Sequence, residues 1–183
     1  MMRYVSLCLV VFTVACGPSN DSSSELQSRS KKAAIDLNSP VLESQDYPIA
    51  ADPTLTPGVR CTHPDEVRYP EQIAYCERSV SKSKKDQVIR AYDSLGYRLE
   101  ELSRSKIKID HYIPLCMGGD NAKTNLWPQY EVVYQRTDAL ETQLCLALSR
   151  GIITQDESIE QMLYAKAHLD ETGTILAKIK ELL

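Results

Sequence analysis

The sequence predicts a small α+β domain that is stapled by disulfides. Between residues 107 and 148, two short β-prone runs flank a glycine-containing loop and precede a stretch with helical spacing of apolar residues. Four cysteines follow residue 58, and the chain opens with an apolar leader that indicates export. Because exported proteins meet oxidising conditions, these cysteines are expected to form disulfides.

The leader consists of Arg3, an uncharged apolar run over residues 5–14, and then Ala15-Cys16-Gly17. The run is too short to cross a bilayer, which is typical of a signal peptide. Small residues before Cys16 resemble the lipobox of bacterial lipoproteins, although Thr13 stands where an aliphatic residue is usual. Residues 1–16 are therefore predicted to be a signal peptide with a lipobox. Lipidation of Cys16 would anchor the protein in the bacterial cell envelope, and ordinary secretion is the alternative.

Residues 17–58 are rich in Ser, Asp, Asn and Pro and show no sustained apolar periodicity. Such a composition buries too little apolar surface to offset the entropy of ordering the chain. The sequence therefore predicts a flexible tether over 17–58. Residues 59–183 have the length of one domain.

The four cysteines after the tether contain no CxxC pair, so two disulfides are favoured over a zinc cluster. Three pairings are possible. We favour Cys61 with Cys76, which closes a short loop, and Cys116 with Cys145, which joins the central loop to a later helix. The alternative for the second pair is two buried free thiols.

The most informative stretch runs from Ile107 to Gln129 and reads IKIDHYIPLCMGGDNAKTNLWPQ. Alternating apolar residues predict a strand that carries Asp110 and His111 and ends before Pro114. A tight loop leads to a second short strand at residues 125–127. A helix is predicted from the spacing of its apolar residues over 130–148: Val133, Leu140, Leu144, Ala147 and Leu148.

The string DHYIPLCMGGDNAKTNLWPQ resembles the D-H-x-[IV]-P-L-x-x-G-G…N-L-W-P-Q signature of exported HNH-type endonucleases. Similar flanking features are Thr56-Pro57-Gly58, the CERSV string at 76–80 and the D-x-L-E pattern at 138–141, so the resemblance extends from Thr56 to about Asp156. It implies a ββα-metal (HNH, or His-Me finger) core flanked by helices. The implied activity is metal-dependent hydrolysis of phosphodiester bonds in DNA, with RNA as an alternative.

Site roles follow from the resemblance and from side-chain chemistry. His111 is assigned as the general base, because an imidazole can accept a proton near neutral pH. The resemblance makes Asp110 the first metal ligand. Neighbouring residues face opposite sides of an ideal strand, so a bend is needed for both to serve one site. Asn125 is expected to tie the loop in place and to fix the orientation of the base.

The second metal ligand is expected on the helix, which contains no histidine between Tyr130 and Arg150. Asp138 is the assignment, and Glu141 is the alternative one turn away. Two carboxylates favour a hard cation, Mg²⁺ first and Mn²⁺ as a possibility. The simpler interpretation is that both acids face solvent or pair with Arg136.

The chain carries a formal net charge of -4, yet basic residues outnumber acidic ones just before the strand of the base. This excess is predicted to contact phosphates of a nucleic acid, and a solvated helical face is the alternative. The assigned contacts are Arg78, Lys82, Lys84, Lys85, Lys106 and Lys108.

The C-terminal helices are expected to be scaffold, with Thr154 and Glu157 forming a capping box and Gly173 breaking the helical stretch. No protein partner is implied. Two other functions remain open: an inactive HNH-derived envelope lipoprotein that only binds nucleic acid, and a purely structural envelope lipoprotein.

Overall fold

A computed structural model describes residues 34–183, and this part of the chain forms four α-helices and two two-stranded antiparallel sheets. The predicted mixed α+β class is confirmed. The predicted signal peptide, Cys16 and the first half of the predicted tether lie outside the described residues. No helix of the described part is long and apolar enough to cross a membrane.

The first sheet is a short hairpin of β1 (Glu66–Arg68) and β2 (Ile73–Tyr75). It is followed by α1 (Lys82–Asp93). The side chain of Ser81 caps this helix by accepting a hydrogen bond from the backbone N–H of Lys84, which satisfies one of the donors left free at a helix start.

The second sheet pairs β3 (Ile107–His111) with β4 (Leu126–Tyr130), and α2 (Glu131–Ser149) follows directly. The observed order of strand, loop, strand and helix agrees with the order predicted from the sequence. The second strand is longer than predicted, because it continues through Pro128, which lies opposite Ile109. A proline is tolerated there because each strand of a two-stranded sheet has one edge without ladder hydrogen bonds.

Two further helices complete the domain: α3 (Gln155–Ala167) and α4 (Thr172–Leu182). The predicted capping box between Thr154 and Glu157 is present at the start of α3. The predicted break at Gly173 is wrong by a few residues. The chain turns at 169–171, and Gly173 lies in the first turn of α4. A glycine at this position does not interrupt the interior of a helix.

The apolar residues form two neighbouring clusters. One joins α2 to α3 and α4 through side chains such as Leu144, Met162 and Leu176. The other packs α1 against the β3–β4 sheet around Tyr92 and the fully buried Trp127. The residues that predicted α2 from their spacing are all buried: Val133, Leu140, Leu144, Ala147 and Leu148.

Both predicted disulfides are present, Cys61 with Cys76 and Cys116 with Cys145. Each pair of Cα atoms is 5.8 Å apart. The second bond joins the loop after β3 to the C-terminal part of α2. These bonds indicate that the protein folds in an oxidising, extracellular environment.

The predicted tether needs correction over residues 35–58, which belong to the same compact unit as the rest of the domain. Tyr47 stacks on Tyr130 with ring centroids 4.0 Å apart. The buried guanidinium of Arg136 donates to the carbonyl of Ser39 at 3.0 Å and to its hydroxyl at 2.8 Å. Composition did not reveal this packing, because the partners of these few residues lie far along the chain.

Candidate functional site

A cleft of about 310 Å³ lies where β3 ends against α2. Asp110 and His111 contribute to it from the strand, and Glu141 contributes from the helix. The remaining wall residues are Arg78, Leu115, Thr142 and the disulfide-bonded Cys116 and Cys145. One cleft therefore holds an imidazole, two carboxylic acids and a guanidinium.

The hydrogen bonds around His111 define which ring nitrogen is basic. Its Nε2 lies 3.1 Å from Oδ1 of Asn121. Asn121 donates from Nδ2 to the carbonyl of Glu77 at 2.7 Å, and its Oδ1 accepts from the backbone N–H of Ser79 at 3.0 Å. Because Oδ1 is an acceptor, Nε2 of His111 carries the proton, which leaves Nδ1 as the basic nitrogen of the neutral ring.

Burial lowers the pKa of His111, which is 3% exposed. The hydrogen bond to Asn121 and the charge of Asp110 raise the pKa, whereas the positive charges of Arg78 and Lys166 lower it further. The net effect is a pKa below the usual 6.5. The imidazole is therefore neutral at pH 7 and able to accept a proton.

Asp110 lies beside His111 in sequence, and both line the same cleft although they are neighbours on one strand. His111 is the last residue of β3, so the strict alternation of the strand ends at this point. The Oδ2 atom of Asp110 is buried and has no hydrogen-bond partner among the described residues. Lys108 Nζ is 3.5 Å from it. A buried carboxylate oxygen with free lone pairs fits a cation ligand.

The helix acid in the cleft is Glu141, and Asp138 lies outside it. Asp138 is 48% exposed and its Oδ1 is 2.7 Å from the ammonium group of Lys108. Burial raises the pKa of Glu141, and the charge of Asp110 adds to this effect against the opposing charge of Lys166. Of the two acids that the sequence offered, the structure brings Glu141 to Asp110 and His111.

Asn125 is fully buried and holds both ends of the loop between the strands. Its Oδ1 accepts from the N–H of Ile113 at 2.9 Å, and its Nδ2 donates to the carbonyls of Ile113 at 3.0 Å and Asp120 at 2.8 Å. This arrangement agrees with the predicted loop-tying role. The ring of His111 donates its hydrogen bond to Asn121 and not to Asn125.

The six predicted phosphate contacts occupy different surroundings. Arg78 lines the cleft. Lys84 on α1 donates to the backbone carbonyl of Asn121 at 2.8 Å, and the side chain of the same Asn121 bonds the ring of His111. Lys85 also lies on α1. The other three are paired with acids: Lys82 with Asp86, Lys106 with Glu131 and Lys108 with Asp138.

Sequence reasoning missed two residues of the site, Asn121 and Lys166. Asn121 lies inside the motif, where the sequence indicates only a tight loop. Lys166 lies on α3, is 1% exposed, and donates from Nζ to the carbonyls of His111 at 2.7 Å and Tyr112 at 2.9 Å. A signal existed, because Lys166 follows the buried Met162 by four residues, on the core face of the helix.

A second group of metal-type side chains lies apart from the cleft. Atoms of Cys61, Cys76 and Asp120 are within 4.8 Å of one another. Metals bind cysteine as the thiolate, and these two sulfurs share a disulfide. In the oxidised protein, this group is not suited to hold a metal.

In comparisons with known proteins, no family model, no curated protein and no solved structure matches the chain.

Proposed function

We propose that the protein is a metal-dependent endonuclease that hydrolyses phosphodiester bonds of DNA, with RNA as an alternative substrate. The observation that carries the proposal is the neutral, buried His111 in one cleft with the buried carboxylate of Asp110, whose Oδ2 has no hydrogen-bond partner among the described residues. The strand, loop, strand, helix order and the motif together support assignment to the ββα-metal (HNH) class.

In this proposal, His111 takes a proton from the attacking water at Nδ1. Asn121 accepts the Nε2–H and stabilises the imidazolium that forms. The same hydrogen bond fixes the tautomer and the plane of the ring. Arg78, at the cleft wall, is placed to hold a phosphate oxygen.

Asp110 and Glu141 would hold the divalent cation, which would stabilise the charge on the phosphate and on the leaving oxygen. Carboxylate oxygens favour Mg²⁺, with Mn²⁺ as a possible substitute. We propose Glu141 in place of Asp138, because Asp138 lies outside the cleft and is paired with Lys108. Lysines of α1 would contact the phosphates that flank the cut.

Plasmid cleavage with Mg²⁺, with and without EDTA, tests the activity. His111→Ala should reduce the rate by about 100-fold or more, the scale of losing a general base. His168→Ala is the matched control, because His168 is exposed at the end of α3 and outside the cleft. Cleavage by His111→Ala at the wild-type rate would refute the mechanism. DNA binding in a gel shift without any cleavage would favour the inactive binding protein.

Titration of Mg²⁺ separates the two helix acids. Glu141→Gln should raise the metal concentration for half-maximal rate, whereas Asp138→Asn should leave it close to that of the wild type. The two changes remove equal charge from the same helix, so each is the control of the other. The opposite result would return the ligand role to Asp138.

We also propose that Cys16 carries a lipid that anchors the protein in the bacterial cell envelope. The disulfides support export, which a lipoprotein and a secreted protein share. The mature wild type should partition into detergent, and Cys16→Ser should shift it to the aqueous phase. A wild type that stays wholly in the aqueous phase would favour simple secretion.

A further inference from the structure

Lys166 is an unusual residue for a buried helix face. It is 1% exposed, and the core residues Ile159 and Met162 lie on the same face of α3. A lysine is rarely buried in full, because its charge and its N–H donors lose their water. An apolar residue would pack α3 onto the core without that penalty, so helix packing alone does not explain the lysine.

The surroundings of Lys166 Nζ offset part of the effect of its burial. The group donates to the carbonyls of His111 at 2.7 Å and of Tyr112 at 2.9 Å. Burial lowers the pKa of Lys166, and the negative charges of Asp110 and Glu141 act against this effect. The carbonyl oxygens and the two carboxylates all favour a positively charged amine at this position.

We propose that Lys166 is a positioning residue of the cleft, which fixes the backbone that carries His111 and balances the charge of Asp110 and Glu141. Two hydrogen bonds join the end of β3 to a helix 55 residues later in the chain. The side chain of His111 starts from this backbone, and a misplacement of about 1 Å can reduce a rate about 100-fold. The inference rests on the proposed nuclease function.

A purely structural role makes a different prediction. If Lys166 only docked α3, its replacement would lower stability and leave the folded cleft unchanged. If it positions the site, the folded variant should turn over more slowly at similar substrate affinity. It should also bind a divalent cation more tightly, because a positive charge that interacts electrostatically with Asp110 and Glu141 has been removed.

The experiment compares Lys166→Met with the wild type and with Lys178→Met, which removes an exposed lysine from α4. Mn²⁺ binding is measured by calorimetry without DNA, and kcat and KM are measured on a defined oligonucleotide at saturating Mn²⁺. For Lys166→Met we expect Mn²⁺ affinity to rise about threefold or more. We expect kcat to fall about tenfold or more, with KM within about twofold of the wild type. Lys178→Met should behave as the wild type.

If Lys166→Met does not fold, Lys166→Gln replaces it in both measurements, because glutamine removes the charge but keeps an N–H donor. It should show the tighter Mn²⁺ binding with a smaller loss of kcat. A folded variant with wild-type kcat and wild-type Mn²⁺ affinity would overturn the inference, as would failure of both variants to fold.

The two proposals can fail separately. If the wild type binds Mn²⁺ but does not cleave nucleic acid, the proposed activity fails. The calorimetric comparison of Lys166→Met with the wild type then decides the charge-balancing role by itself. If the wild type does not bind Mn²⁺, both proposals are rejected.

Discussion

Removal of the disulfide between Cys116 and Cys145 is expected to lower both stability and activity. The bond closes a loop with a sequence separation of 29 residues. Chain-entropy theory gives about 12 cal/mol/K for a loop of that length, or about 3.6 kcal/mol of unfolding free energy at 25 °C. The same reasoning gives about 3 kcal/mol for Cys61 with Cys76, whose separation is 15 residues.

The two disulfides should differ more in activity than in stability. Cys116 and Cys145 line the cleft, and Cys145 is one helical turn from Glu141 on α2. Without this bond, the loop after β3 can shift against the helix that carries the proposed metal ligand. We expect a loss of cleavage rate of about tenfold or more. The Cys61–Cys76 bond does not line the cleft, so its removal should leave the rate of the folded protein nearly unchanged.

The assay uses two double-alanine variants, one for each disulfide. Urea unfolding gives the free energies, and cleavage is measured under conditions where circular dichroism shows each variant to be folded. A loss below about 1 kcal/mol for the Cys116–Cys145 variant would refute the loop-closure estimate. Equal losses of activity in both variants would refute the specific role of this bond in the cleft.

Three further changes test other parts of the structure. Asn121→Ala should slow plasmid cleavage about tenfold, because the Nε2–H of the base loses its acceptor. Burial raises the pKa of Tyr92 from the usual 10.0 to about 12. The protonated phenol therefore stabilises the fold below pH 10, and this stabilisation is lost as pH rises. Urea unfolding should show a loss of about 2 kcal/mol by pH 12, and Tyr92→Phe should not show it. Gly119→Ala should lower the melting temperature sharply or prevent folding, since its Cβ would lie 1.9 Å from the carbonyl oxygen of Ile113.

Features set by local sequence could be predicted. The apolar residues of α2 follow helical spacing, so the helix and its buried face were both expected and both observed. Thr154 and Glu157 lie three residues apart, which is sufficient for a capping box without any distant contact. Four cysteines in an exported chain left three pairings, and the short spacing between Cys61 and Cys76 favoured the observed one.

Features set by distant contacts could not be predicted in the same way. The start of the domain was placed at residue 59, because a polar, proline-containing segment gives no sign of its partners. The stacking of Tyr47 on Tyr130 requires the folded β4–α2 junction. Asp138 and Glu141 are three residues apart on one helix, so spacing alone allowed either to face the cleft. In the structure, Lys108 pairs with Asp138 and also lies 3.5 Å from Asp110, and Glu141 is the one of the two helix acids that lines the cleft.

The charge balance of the cleft shows why a motif describes such a site only in part. The motif contributes the carboxylic acid Asp110 and the imidazole of His111, but Glu141 and Lys166 come from two helices that follow it. Each of these helix residues would raise the free energy of the fold if it were buried alone. The negative charges of Asp110 and Glu141 act against the effect of burial on the pKa of Lys166, and the ammonium group donates to two carbonyl groups. A lysine on the apolar face of a helix in an exported protein therefore indicates buried acceptors elsewhere in the fold, and here those acceptors are on the backbone of the proposed base.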